Sequence, residues 1–272
     1  MDHPYSAPKR GLGQNFLVSP AVARRIVSAL PPATGELVFE IGPGYGALTV
    51  PLAESGARIV AYEIDGELAD RLGEQCMRFK NVEIRCDDIR NVDLDGVAAE
   101  LTDERYKIIG NIPYHLTGSI LLDLPRLRRC EVAVLMVQRE VGERILASPG
   151  DRACGMVTVF LRSYLEISRV MRVRPGSFRP RPKVESMVLR FTATGFDTAP
   201  ADRDKFLAFL KWSFSQRRKK LRSVYRRGRG MVDATDFYVR AAADGCDLDR
   251  RPEELPLEDW FRLFSVFRES AG

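Results

Sequence analysis

Two short stretches carry residue types that could do chemistry. The first is Glu40-Ile41-Gly42-Pro43-Gly44-Tyr45-Gly46, preceded by the apolar run Leu37-Val38-Phe39 and followed by residues 47–53, which read as the first turns of a helix. A buried strand, a glycine turn and a helix make a seat for a nucleotide-like ligand. The glycines allow the sharp turn and let a ligand approach where a Cβ would stand. Gly42-x-Gly44-x-x-Ala47 satisfies a loose dinucleotide fingerprint, and Gly42-x-Gly44-x-Gly46 equally suits the nucleoside of S-adenosylmethionine. The loop alone leaves both open.

The second stretch is Asn111-Ile112-Pro113-Tyr114. By composition an Asn and a Pro after a strand are simply a turn; position beside the glycine loop changes that. An exocyclic adenine amine is a poor nucleophile because its lone pair is delocalised into the ring. A site that accepts both of its N–H bonds, through the Asn side-chain oxygen and a backbone carbonyl, localises that lone pair. Pro113 fixes the backbone that presents the carbonyl, and Tyr114 offers a stacking face for the base. The amine then stands in line with a sulfonium methyl, so catalysis is mainly orientation and electrostatics. That chemistry needs no metal, nucleophilic cysteine or strong base, and it favours S-adenosylmethionine as the ligand.

Acids at two other strand ends fit the same ligand. Glu63, 19 residues beyond Gly44, could accept hydrogen bonds from ribose hydroxyls; the alternative is a solvated charge at a helix N-terminus. Asp87-Asp88 could cap a helix, or one of them could accept a bond from an adenine amino group. The glycine loop favours the ligand role for Glu63; for the aspartates both readings stand on residue chemistry alone.

The elements that must position these residues alternate. Apolar runs at 37–39, 58–62, 82–85, 106–109 and 132–137 read as strands, with helical patterns between them. That pattern predicts an α/β, doubly wound parallel sheet whose strand ends gather the four polar tails on one rim. Ser19-Pro20 predicts an N-cap and a first-turn proline ahead of a helix with Val22, Ile26, Val27 and Leu30 on its apolar face. Two further β-like runs, 165–173 and 183–191, flank a basic loop containing Arg174, Arg179 and Arg181. Residues 192–202 look like a linker, and the remainder looks helical. The expected division is a catalytic domain at 1–195 and a helical, basic domain at 196–272.

The 272 residues carry a net charge of +5, concentrated in two blocks. Residues 211–230 hold nine basic residues and no acid, among them Arg217, Arg218, Lys219, Lys220 and Arg222, with Trp212, Phe214 and Tyr225 interleaved. Residues 172–183 add five more. A charge run is often only a solvated face, but two such blocks leave the remainder close to neutral or acidic, which favours a phosphate-binding surface. Five scattered cysteines without a C-x-x-C pair, and two histidines, His3 and His115, argue for reduced thiols in a cytoplasmic protein and against zinc. No secretory h-region or membrane-spanning run is visible, and without an oligomerisation stripe a monomer is expected.

With these residues in view, the chain resembles the KsgA family of small-subunit rRNA adenine dimethyltransferases. Seven motifs carry the resemblance in order: Gly13-Gln14-Asn15-Phe16-Leu17, Glu40-Ile41-Gly42-Pro43-Gly44, Glu63-Ile64-Asp65, Asn111-Ile112-Pro113-Tyr114, Gln138-Arg139-Glu140, Phe178-x-Pro180-x-Pro182-Lys183-Val184-x-Ser186 and Phe214-Ser215-Gln216-Arg217-Arg218-Lys219. The resemblance implies a Rossmann-like, seven-stranded S-adenosylmethionine-dependent methyltransferase sheet with one antiparallel strand, plus a small all-helical C-terminal domain. It implies transfer of methyl groups to N6 of two adjacent adenines in the 3′-terminal hairpin loop of 16S rRNA, with the small ribosomal subunit or its precursor as partner. Asn15, Leu17, Gly42, Gly44, Glu63, Asp88 and Asn111 would bind the cofactor, with Glu63 on the ribose and Asp88 on the adenine. Asn111 to Tyr114 would hold the target base, and Phe178 would pack on its other face. A large-subunit rRNA methylase, a non-catalytic assembly factor on the same fold and a nicotinamide dehydrogenase are the competing readings.

Overall fold

The computed structural model describes residues 14–194, 199–227 and 234–270. Gly13 of the first motif, part of the expected linker and Arg229 of the second basic block lie outside them. By internal contacts the chain forms two units, 1–142 with 167–193 and 143–166 with 194–272.

The first unit opens with β1 (Phe16–Leu17) and α1 (Pro20–Ala29). The Ser19 hydroxyl accepts a bond from Val22 N, and Pro20 sits in the first turn, so the helix starts where its capping chemistry dictates. Then β2 (Leu37–Ile41), α2 (Thr49–Glu54), β3 (Arg58–Glu63), α3 (Gly66–Cys76), β4 (Val82–Cys86), α4 (Leu94–Leu101), β5 (Tyr106–Asn111), α5 (Thr117–Asp123) and β6 (Cys130–Gln138) follow in alternation. After α6 (Arg139–Ile145) and α7 (Met156–Arg162) come β7 (Leu165–Val173), β8 (Phe178–Arg179) and β9 (Ser186–Ala193).

Seven strands make one sheet in the order β4-β3-β2-β5-β6-β9-β7. From β4 to β6 every pairing is parallel, and β9 runs antiparallel to β6. Strands covered on both faces need apolar residues at successive positions rather than alternating ones. Accordingly all of β2 and the run Val132 to Val137 in β6 are buried, while the edge strands β4 and β7 are partly exposed.

Strand order reverses around β2, which has β3 on one side and β5 on the other. The loops leaving β2 and β5 therefore open on one crevice, the usual ligand position in such sheets. Ile41 lies level with Gly110, and a Cβ on Gly110 would stand 2.8 Å from the Ile41 carbonyl oxygen. The missing side chain lets the two strands close directly beneath the crevice. A second, two-stranded ribbon pairs β1 with β8, Leu17 opposite Phe178, and Val18 N donates to the Ser177 carbonyl at 2.8 Å.

The second unit holds α7 with α8 (Arg203–Ser213), α9 (Leu221–Arg227), α10 (Ala234–Ala243) and α11 (Leu257–Ser270). Phe209 sits at its aromatic centre, 4.9 Å from Phe267, 6.2 Å from Phe237 and 6.1 Å from Trp260 between ring centroids. A single boundary near residue 195 does not describe this arrangement. Residues 143–166 belong with the helical unit because Phe160 and Tyr164 pack on Phe206, the Tyr164 hydroxyl donates to the Pro200 carbonyl at 2.8 Å, and Arg217 Nη2 donates to the Arg152 and Cys154 carbonyls. Of the aromatics interleaved in the basic block, Tyr225 and Phe214 are buried core and Trp212 is half-buried, and the Tyr225 hydroxyl bonds Ser213 Oγ at 2.9 Å.

Candidate active site

A cleft enclosing about 790 Å³, open solvent included, lies at the crevice between β2 and β5. Asn15, Leu17, Gly42, Gly44, Glu63, Asn111, Ile112, Pro113 and Tyr114 all line it. Residues drawn from a 100-residue span of sequence thus meet because four segments end on one rim.

The glycine loop is held in a left-handed conformation, with φ of +67° at Gly42 and +55° at Gly44. Only glycine takes such angles without strain. A Cβ on Gly44 would also come within 2.9 Å of the Phe16 ring, which meets Tyr45 edge-on at 4.6 Å. The loop is tied to the next strand by Glu63. Its Oε2 accepts from Gly44 N at 3.0 Å and its Oε1 from Asp65 N at 3.1 Å. Burial pushes the Glu63 carboxyl above its ordinary range, and these backbone donors oppose the rise. Each carboxylate oxygen keeps acceptor capacity for a ribose hydroxyl. A nucleoside fits this seat: the cradle has no Cβ where the ligand approaches, and the acid that would take the ribose is already oriented.

Asn111 ends β5. Its Nδ2 donates to the Asn15 carbonyl at 2.9 Å. A carbonyl can only accept, so this bond fixes which end of the amide is which and leaves Oδ1 as the acceptor for an incoming amine. Asn15 is held in turn by the β1–β8 ribbon that begins one residue later. In the next turn the Pro113 carbonyl already accepts from Leu116 N at 2.9 Å and Thr117 Oγ1 at 3.3 Å. Ile112, whose side chain is buried and whose N–H donates to the Met136 carbonyl, fixes the backbone between Asn111 and that proline. A Cβ on Gly42 would lie 3.7 Å from the Asn111 carbonyl oxygen, so the cofactor seat and the amine acceptors adjoin.

Two sequence-expected residues are not brought to this cleft. Phe178 is 1% exposed and belongs to the hydrophobic core with Leu17, Ile26 and Val173; its backbone pairs with Leu17, and it does not line the cleft. Asp88 caps the short turn after β4, and both of its carboxylate oxygens are engaged by Arg90. That guanidinium holds the Asp88 carboxyl below its ordinary range. Asp87 Oδ1 accepts from Asp88 N, so the two acids build the turn between them.

The cleft also contains Phe16, Tyr45, Ile64, His115 and Leu116, to which the sequence assigned no role, and Glu40, which it quoted only as the start of a motif. The five basic residues expected on RNA, Arg217, Arg218, Lys219, Lys220 and Arg222, are all exposed. Arg222 pairs with Asp249 at 2.8 Å, with Lys220 nearby at 3.8 Å, and Arg217 pins the 152–154 backbone. Among the described residues no His, Cys, Asp and Glu group could hold a metal, and no helix is long and apolar enough to cross a membrane.

Sheet order, glycine cradle and amine acceptors together define an S-adenosylmethionine-dependent methyltransferase that acts on an exocyclic amine. Solved structures share the fold. A dimethyladenosine transferase from Plasmodium falciparum superposes with a TM-score of 0.78 at 22% identity, covering 94% of this chain and 98% of the other. The 23S rRNA methyltransferase ErmE does so at 0.68 and 24%, covering 93% and 100%. Sequence takes the identification further: residues 6–269 match the ribosomal RNA adenine dimethylase family, and the chain belongs to it. It is 40% identical to the ribosomal RNA small subunit methyltransferase A of Acidobacterium capsulatum over 96% of this chain and 92% of the relative. Against the protein of that name from Thermotoga maritima the figures are 34%, 96% and 86%.

Proposed function

We infer that this chain transfers methyl groups from S-adenosylmethionine to N6 of two adjacent adenines in the 3′-terminal hairpin loop of 16S rRNA, during maturation of the small subunit, acting as a monomer in the cytoplasm. One observation carries the reading: Asn111, oriented by the Asn15 carbonyl, stands against the Gly42 loop at the same crevice. The relatives that match over most of the chain are named for the small subunit, which favours it over the large one as substrate.

Asn15, Leu17, Gly42, Gly44, Glu63 and Asn111 hold the cofactor, which supplies an electrophilic methyl group on a sulfonium. Glu63 accepts the ribose hydroxyls. Asp88 takes the adenine amino group after exchanging Arg90 for it; the Arg90 side chain is half exposed, so solvent can take up its charge and the exchange is cheap. Asn111 Oδ1 and a backbone carbonyl of the motif accept the two N–H bonds of the target amine and localise its lone pair. Pro113 holds that carbonyl in place, and Tyr114 stacks on the base. A loop adenine suits the site because extruding an unpaired base costs less than breaking a pair, by a few kcal/mol. The phosphates are met by Arg218 and Lys219, joined by Lys220 and Arg222 once they leave Asp249; Arg217 acts by holding the surface in shape.

Incubation with labelled S-adenosylmethionine and unmethylated ribosomal subunits tests the inference. Label is expected in the small subunit, at adjacent adenines near the 3′ end. Label confined to the large subunit, or in neither, contradicts it.

A further inference from the structure

Glu40 has no task in the chemistry above, yet it is the least easily explained side chain in the cleft. It lies in β2, level with Ala61 of β3 and Ile109 of β5, is 1% exposed, and lines the cavity. Its Oε2 has no hydrogen-bond partner; the Thr49 hydroxyl on the adjoining α2 lies beside the carboxyl and favours its ionised form. The charges around it are of the wrong sign. Glu63 on β3 acts on it directly, and Glu40 in turn raises the Cys76 thiol on α3. Asp65, contacted by Gln14 Nε2 at 3.2 Å, adds a further carboxylate just past Glu63. Asn111, on the β5 side, is uncharged, and among the described residues no cation pairs with Glu40.

A buried carboxylate beside another carboxylate cannot stay ionised without a positive partner. Burial pushes the Glu40 carboxyl up to about 8; the Thr49 hydroxyl opposes the rise and the Glu63 charge adds to it. Glu63 escapes part of this cost through its two backbone donors. What the cleft lacks is a cation, and S-adenosylmethionine brings two, its sulfonium and its α-ammonium.

We propose that Glu40 is a proton-linked counter-ion for the cofactor: it is neutral without cofactor and ionises as the cationic part of S-adenosylmethionine enters, so that binding releases a proton to solvent. The O–H bond of the Glu40 carboxyl breaks, its proton goes to water or buffer, and nothing is oxidised or reduced. The inference rests on the reading of this cleft as the S-adenosylmethionine seat and adds the electrostatic term that selects a charged ligand there.

Calorimetric titration of the whole wild-type protein with S-adenosylmethionine, near pH 7 in two buffers of different ionisation enthalpy, reads the proton directly. Release of close to one proton per cofactor is expected. Affinity should rise about tenfold per pH unit below about 8; above it, affinity levels off if the sulfonium is the partner and falls if the α-ammonium is, because that group then loses its own proton. 5′-Methylthioadenosine, which lacks both cations, should bind without release. S-adenosylhomocysteine keeps only the ammonium, so release with it assigns that group as the partner, and its absence assigns the sulfonium. In Glu40→Gln the release should vanish. No proton release from the wild type, equal release with 5′-methylthioadenosine, or undiminished release from Glu40→Gln overturns the proposal; the wild-type arms stand even if the variant does not fold. Failure of S-adenosylmethionine to bind would instead remove the cofactor reading itself, and the proposal with it.

Discussion

Asn111 works from both ends of its amide. One end is fixed by the Asn15 backbone, 96 residues away, and the other is thereby aimed at the substrate. Asn111→Asp keeps acceptors for the amine but loses the donor to Asn15, and sets a carboxylate against a carbonyl. Single-turnover kinetics should show the methyl-transfer rate falling about 100-fold, the scale of losing one preorganised polar contact; a rate within threefold of wild type would remove the Asn15 contact from the chemistry. Asn111 itself was legible in the sequence because Asn-Ile-Pro-Tyr is a residue pattern. The Asn15 carbonyl was not, because a backbone oxygen has no residue type to read. Glu40 was hidden in another way: an acid inside an apolar strand looks like the strand end until its burial is known. Its folded-state pKa lies above the unfolded one, so its favourable share of stability is present below about pH 4.5 and is lost as pH rises towards 8. Glu40→Gln should therefore stabilise the cofactor-free protein at pH 8, by on the order of 1 kcal/mol or more, with the gain fading towards pH 4.5. Thermal melts across that range check the sign, and a gain that grows with acid would contradict it.

Single elements carry the site through their ends. The loop after β2 depends on left-handed glycines packed under Phe16, so Gly44→Ala should cost about 1–2 kcal/mol of loop conformation and weaken S-adenosylmethionine binding by roughly tenfold, measured by titration. Binding unchanged by Gly44→Ala would show that the loop does not form the cradle. The β1–β8 ribbon places Phe178 where its motif alone does not. Phe178 stands in a motif beside basic residues and so invites a role on the base, but a two-residue strand pairing turns its ring into the core. Phe178→Ala should lower stability by about 3–5 kcal/mol, whereas Phe178→Leu should keep turnover within a few-fold. A large turnover loss in Phe178→Leu at full stability would restore the stacking role. The sheet strands were easier to read than this ribbon: buried parallel strands announce themselves as apolar runs, while a pairing of two residues on each side leaves no periodicity.

The whole molecule couples a parallel-sheet unit to a helical unit that begins before the sheet is complete. The sequence carries no punctuation at 143 or 166, because the chain enters and leaves the second unit within ordinary helix and strand patterns; the contacts of Phe160 and Tyr164 with Phe206 and the bonds from Arg217 to the Arg152 and Cys154 carbonyls reveal it. Charge was legible as a block, but not which cations are already engaged. Arg218→Ala with Lys219→Ala should weaken RNA binding and lower the slope of log K against log salt by about 2 in magnitude, while Arg217→Ala should act mainly on thermal stability. An unaltered salt slope in the double variant would place the RNA elsewhere. The central claim is that the crevice between β2 and β5 is where an rRNA adenine amine receives its methyl groups. Its most direct test is base analysis of small-subunit rRNA after incubation with S-adenosylmethionine and either the wild type or Asn111→Ala. Wild type should yield N6,N6-dimethyladenine at two adjacent positions, and Asn111→Ala none at matched times despite retained RNA binding. Dimethylation by Asn111→Ala at the wild-type rate would contradict it.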